Sequence, residues 1–133
     1  IPGPVNRNPY APKGETPAPV VSMQGSEVFK FAVSQMTADC RKAMDLAGLT
    51  AADFTKFVPH QANARIIHAA RKALGFTDAQ TAMNIERYGN TSSATVPILL
   101  SELAEAGAIK RGDLLLLAAM GGGLTSGACV INY

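Results

Sequence analysis

The sequence has 133 residues, 47% of them hydrophobic and 17% charged, with a formal net charge of +2; this is enough apolar material for one buried core and too much for a disordered chain. Twelve Lys and Arg against ten Asp and Glu leave no basic footprint for a phosphate backbone, which excludes nucleic acid as the primary partner. The longest apolar run, Leu114 to Met120, is too short to span a bilayer, and the first residues carry no basic-then-apolar signal, so a soluble, cytoplasmic protein with no membrane partner is expected.

Six of the eight prolines fall in residues 1–22, without apolar periodicity, so this stretch reads as a linker or long loop ahead of one domain over 23–133. The chain begins Ile1-Pro2-Gly3 with no methionine, which reads as a trimmed chain or a piece of a longer polypeptide. Val28, Ala32, Met36, Cys40, Ala43 and Ala47 recur at steps of three and four and predict a helix over 26–47, closed by Gly48. Thr50 to Asp53 reads as a capped turn, and Lys56-Phe57-Val58 as a short strand stopped by Pro59. A second helix follows over 62–74, ended by Gly75, and a brief strand over Thr81 to Ile85. Ser93 to Ala106 reads as a helix apolar enough to be buried, with Pro97 near its first turn. Leu114 to Met120 has no polar alternation and reads as a strand covered on both faces, followed by a last strand over Ala128 to Tyr133. Strands alternating with helices give an α/β layered fold.

Three segments place polar residues or glycines at strand ends: Val58-Pro59-His60-Gln61-Ala62-Asn63, Arg87-Tyr88-Gly89-Asn90-Thr91-Ser92-Ser93, and Met120-Gly121-Gly122-Gly123 on to Gly127. Strand ends that face helix N-termini are where open α/β sheets bind ligands, so the three segments predict one rim. His60 can hold or donate a proton near neutral pH, although an isolated histidine is more often an ordinary hydrogen-bonded one. Asn90 is equally readable as a structural turn residue and as an amide donor to a carbonyl oxygen. Gly121 to Gly123 can expose backbone N–H groups to an oxyanion or simply bend a hairpin, and without a following Lys-Ser or Lys-Thr they do not form a nucleotide-phosphate loop. His68, eight residues beyond His60, has no acidic neighbour, so no metal site is expected. Cys40 and Cys129 lie on apolar segments and read as buried hydrophobes, not nucleophiles, a disulfide or zinc ligands. Lys30, Arg65, Arg71 and Lys72 are either a solvated face or a basic mouth for an acidic or phosphorylated partner. A histidine, an amide donor and an oxyanion loop are thus present without a nucleophile.

Met23 to Lys30, the His60-Gln61-Ala62-Asn63 segment, Gly89-Asn90-Thr91-Ser92 and the glycine triplet, in this order and spacing, resemble the C-terminal half of the 3-oxoacyl-[acyl-carrier-protein] synthase III family. The resemblance runs from about Met23 to Tyr133; residues 1–22 match none of its motifs. It implies the C-terminal half of a thiolase-like α-β-α-β-α layered fold, with a mixed sheet and buried helices. It also implies decarboxylative Claisen condensation of an acyl group from coenzyme A with malonyl-acyl carrier protein, initiating fatty acid synthesis. His60 and Asn90 would then be two members of a Cys-His-Asn triad whose cysteine belongs to an N-terminal half, and this chain by itself would be inactive.

Under the same resemblance, Gly122 contributes a backbone N–H to the second oxyanion hole. Met23, Gly25, Phe29, Ala62 and Asn63 line the pantetheine channel, and Lys30, Arg65 and Lys72 dock the carrier protein or coenzyme A phosphates. No cofactor is implied beyond the phosphopantetheine arms of the substrates. The implied partners are the N-terminal half, acyl carrier protein, a coenzyme A thioester and a second copy of the full enzyme. Met120 stands where well-known members carry phenylalanine, so the acyl primer is not carried over. Two other readings stay open: a noncatalytic carrier-binding or assembly module, and an acyltransferase of specialised metabolism using the same triad.

Overall fold

The computed structural model describes residues 23–133; the linker expected over residues 1–22 lies outside them. The first helix, α1 (Gly25–Ala47), buries Ala32, Met36, Thr37, Cys40 and Met44 along one side, the stripe that the sequence periodicity marks out. It ends where Gly48 enters the left-handed region at φ 68°, a conformation that costs an L residue roughly 1–2 kcal/mol and glycine nothing. The Thr50 and Asp53 side chains then close a reciprocal capping box around a single turn of 3-10 helix, Ala51–Asp53.

Strand β1 (Lys56–Pro59) leads into α2 (Ala64–Leu74), which is capped at its start by the Asn63 side chain and closed by Gly75 at φ 82°. No second strand follows at 81–85. Thr81 makes a single parallel bridge to Phe57, after which the chain leaves the sheet and coils into the short α3 (Ile85–Tyr88). The reason is local: Asn84 is buried, and its backbone N–H donates to the Gln61 side chain instead of to a neighbouring strand. A 3-10 turn at Ser92–Ala94 runs into α4 (Thr95–Glu105), and the hairpin of β2 (Leu114–Gly121) and β3 (Thr125–Asn132) completes the chain. β3 begins earlier than its composition predicts because Thr125 and Ser126 pair with Gly121 and Met120.

The sheet order is β1-β2-β3, with β1 parallel to β2 and β2 antiparallel to β3, so it is mixed. Alternation sends Phe57, Leu116 and Ala118 into the larger core beneath α1 and α2, and Val58 and Leu117 into a smaller one beneath α4. The Phe57 ring is fully buried and stacks on Phe76 at 5.1 Å. The result is a three-layer α/β/α arrangement.

Two sequence expectations change at the α4 layer. Helix α4 packs against β1, so it buries only Thr95 and Leu99 and leaves Pro97 exposed. The same narrow cover leaves the second half of the hairpin open. β2 is buried through Leu115 and Leu116 but exposes Ala119, and Cys129, paired with Leu117, is exposed instead of buried.

Replacing Phe57 by alanine removes the central ring of the larger core and is expected to cost about 3–5 kcal/mol in urea unfolding. Leu46→Ala, at a site 80% exposed, is expected to change stability by less than about 0.5 kcal/mol.

Candidate functional site

His60 follows directly on β1. Its backbone N–H donates to the Ala118 carbonyl on β2 at 2.7 Å, which carries the parallel pairing one residue past Pro59 and holds the imidazole at the carboxyl end of the strand. Nδ1 lies 2.5 Å from the hydroxyl of Thr95, the first residue of α4. Half-burial of the ring pushes its pKa below 6.5, the ordinary histidine value, so the imidazole is neutral near pH 7.

Asn90 reaches the same end of the sheet from the turn after α3. Its Oδ1 accepts from the Ser92 backbone N–H at 2.9 Å. That bond settles which way the amide faces and leaves the Nδ2 protons available to donate. Gly122 sits in the hairpin turn after β2, and its carbonyl accepts from the Thr125 hydroxyl at 3.1 Å.

These three residues all line one wide groove of about 1870 Å³, larger than the roughly 300–1,000 Å³ of an ordinary small-molecule pocket. Met23, Gly25, Phe29 and Lys30 from the start of α1 line it as well, with Ala62 and Asn63 from the α2 entry. Met120 and the exposed Cys129 also face the groove. Asn63 spends its Oδ1 on the Arg65 N–H as the cap of α2. Lys30 pairs with Glu27 at 2.9 Å on the surface, a contact worth little in water.

Arg65 and Lys72 are outside the lining. The Arg65 guanidinium lies over the Phe29 ring, 5.5 Å from its centroid, which puts it beside the groove. Lys72 is in the last turn of α2, about 10 Å farther along the helix at 1.5 Å per residue. Arg71 pairs with Asp78. His68 is exposed on α2, and no group of three or more His, Cys, Asp or Glu residues suited to a metal ion occurs among the described residues. Burial, with Asp39 adding to it, pushes the Cys40 thiol up to about 12, which keeps it protonated.

Residues that the sequence reading did not single out join the two loops. Gln61 is fully buried; its Nε2 donates to the Pro59 carbonyl at 2.7 Å, and its Oε1 accepts from the Asn84 N–H at 3.0 Å. The Asn84 side chain in turn donates to Glu102 at 2.7 Å, and Tyr88 and Arg87 converge on the same carboxylate. The hydrogen bonds from Asn84 and Tyr88, then the Arg87 charge, hold the Glu102 carboxyl below its usual range. Glu102 thereby grips both ends of α3, the element that delivers Asn90. Thr95 supplies the only side chain hydrogen-bonded to the His60 ring among the described residues. The sequence signal that was available is the hydroxyl at the start of an otherwise apolar helix.

The sequence family described as 3-oxoacyl-[acyl-carrier-protein (ACP)] synthase III C terminal matches residues 44–133. Beta-ketoacyl-[acyl-carrier-protein] synthase III of Helicobacter pylori is 42% identical over 125 residues, which are 94% of this chain and 38% of that protein. The crystal structure of 3-oxoacyl-[acyl-carrier-protein] synthase III from Aquifex aeolicus superposes with a TM-score of 0.83 at 46% identity, covering 84% of this chain and 36% of that one. The priming beta-ketosynthase of the R1128 polyketide pathway gives 0.77 at 38% identity, over 83% of this chain and 33% of that one. The chain therefore spans a little over a third of the length of its curated relatives, and its fold is the thiolase-like α/β class of these neighbours. Among the described residues, no helix is long and apolar enough to cross a membrane.

A neutral His60 in the fold sets the direction of one pH effect. As pH falls through 6.5 toward the lower folded-state value, the unfolded chain takes up a proton that the folded chain resists, so stability declines and then levels off below the folded value. Urea midpoints followed from about pH 8 down to about pH 5 are expected to show that decline, and His60→Gln is expected to remove the part due to this ring.

Proposed function

The chain belongs to the 3-oxoacyl-[acyl-carrier-protein (ACP)] synthase III C-terminal family, and on that premise we propose that it supplies the histidine and asparagine of a decarboxylating condensing enzyme. The nucleophilic cysteine comes from an N-terminal half, and an acyl group carried on it is joined to malonyl-acyl carrier protein. The observation that carries this reading is the groove lined by both a neutral His60 and an Asn90 amide with free Nδ2 protons.

The chemistry fits those two groups. Cleavage of the bond between C2 and the carboxylate of the malonyl thioester releases carbon dioxide and leaves its electron pair as an enolate, with negative charge on the thioester oxygen. Donors already in place at that oxygen lower the barrier because they need not reorganise as the charge develops. His60 and Asn90 are the two donors. The enolate carbon then attacks the acyl thioester carbonyl; a carbon–carbon bond forms, the carbon–sulfur bond breaks and the cysteine leaves as thiolate. The backbone N–H of Gly122 stabilises the tetrahedral oxyanion of that second step.

Met23, Gly25, Phe29, Ala62 and Asn63 would guide the pantetheine arm along the groove, whose volume exceeds what a compact ligand fills. Arg65, held over Phe29, and Lys30 would meet the phosphates or the acidic carrier at the mouth; Lys72 would add only longer-range attraction. The full enzyme would act in the cytoplasm as a pair of identical copies. Likeness to the R1128 priming ketosynthase, together with Met120 on the groove wall, favours a second reading in which the same triad primes a specialised pathway.

Condensation is expected when the chain is combined with the nucleophile-bearing half and none with the chain alone, measured as carbon dioxide release and ketoacyl product with acyl-coenzyme A and malonyl-acyl carrier protein. Asn90→Ala and His60→Ala are each expected to lower kcat about 100- to 1,000-fold. Full activity in both variants would overturn the assignment, and binding of the carrier without condensation by the combined halves would make the chain an assembly module.

A further inference from the structure

His60 is half-buried with its Nδ1 nitrogen turned to a Thr95 hydroxyl that is itself 2% exposed. A neutral imidazole has one N–H and one bare nitrogen, and the hydrogen bond at Nδ1 decides which is which. The Thr95 hydroxyl has one proton and two acceptors within reach: Nδ1 at 2.5 Å and the Ser92 carbonyl at 3.2 Å. In the opposite arrangement the hydroxyl would donate to the Ser92 carbonyl, where such a bond runs about 2.5–3.0 Å, and an Nδ1–H would donate to the hydroxyl, where it runs about 2.7–3.2 Å. The 3.2 Å contact is longer than the first range and the 2.5 Å contact shorter than the second, so the geometry favours the hydroxyl donating to Nδ1.

We propose that Thr95 is a positioning residue that selects the tautomer of His60: its hydroxyl donates to Nδ1, and the ring proton is held on Nε2, the nitrogen left for the groove. The inference rests on the reading that His60 donates to a developing oxyanion, since only the Nε2–H form offers a proton there. Thr95 also ties the two polar loops together. Ser92, whose carbonyl lies near the Thr95 hydroxyl, is the residue whose N–H orients Asn90. A hydroxyl at the first position of α4 thus faces the imidazole on one side and the asparagine turn on the other.

The direct test is nitrogen-15 NMR of the full chain labelled at its two histidines, with the exposed His68 as internal reference. At neutral pH, His60 is expected to show a bare Nδ1 and a protonated Nε2. Thr95→Val is expected to convert that single state to a mixture without changing His68, and Thr95→Ser to retain it. A protonated Nδ1 in the parent chain, or an unchanged tautomer in Thr95→Val, would overturn the proposal; the parent spectrum decides even if the valine variant does not fold. In the combined enzyme, Thr95→Val is expected to lower kcat about tenfold with KM unchanged, and Thr95→Ser to recover it. Retained condensation in His60→Ala would defeat the functional reading while leaving the tautomer result standing, so the two failures are distinguishable.

Discussion

A single backbone hydrogen bond, from the His60 N–H to the Ala118 carbonyl, organises the functional end of this protein. The Phe57 N–H donates away from β2, to the Gln80 carbonyl, so the position of Pro59 two residues on faces that same outer edge and its missing N–H takes nothing from the β1–β2 ladder; the bond from His60 is what extends that ladder to Pro59. With it, β1 stays beside β2 as far as Ala118, and β2 continues for three more residues, paired with β3, before the glycine turn. The imidazole and the Gly122 peptide line the same groove because each follows the carboxyl end of one of two neighbouring parallel strands. Everything else at the site is brought to that edge from outside the sheet.

Asn90 has to come from a segment with no place in the ladder, and side chains take over the work of the backbone. Gln61 fills both halves of its amide, one with the Pro59 carbonyl and one with the Asn84 N–H. Asn84 passes the connection to Glu102, which also gathers Tyr88 and Arg87. A buried amide left unpaired would cost about 1–3 kcal/mol, so the satisfied network is a strong preference for one arrangement of the two loops. Its polar character also explains two of the polar side chains on the largely apolar helix α4: Glu102 and Thr95 face these loops, whereas Ser101 and Glu105 bond to each other on the exposed side.

Much of the framework was legible from residue patterns. The three-and-four spacing along α1, the glycines at 48 and 75 and the Thr50–Asp53 box each act within a few residues, so the sequence displays both partners. The three polar segments were legible for the same reason, and the structure gathers them around one groove, although the segment over 87–93 follows a short helix and not a strand. The early start of β3 is a hairpin effect within six residues, but the larger misreadings were non-local. The strand expected at 81–85 gave way to a helix turn because a glutamine 23 positions away captured the Asn84 N–H. Cys129 was read as buried from its apolar neighbours, yet burial depends on whether α4 reaches β3, and α4 packs on β1 instead.

The sequence by itself determined the longer helices, the first strand and the central strand, the class of fold, the family and the residues that can donate or accept a proton, because these follow from composition, short spacing and motif. Tertiary structure alone decided which of those residues meet. The Thr95 hydroxyl that faces His60 lies 35 positions from it, and Glu102 bonds to Asn84 across 18. The state of the imidazole depends on a buried contact between two elements, and no periodicity or local motif encodes a distance of that kind.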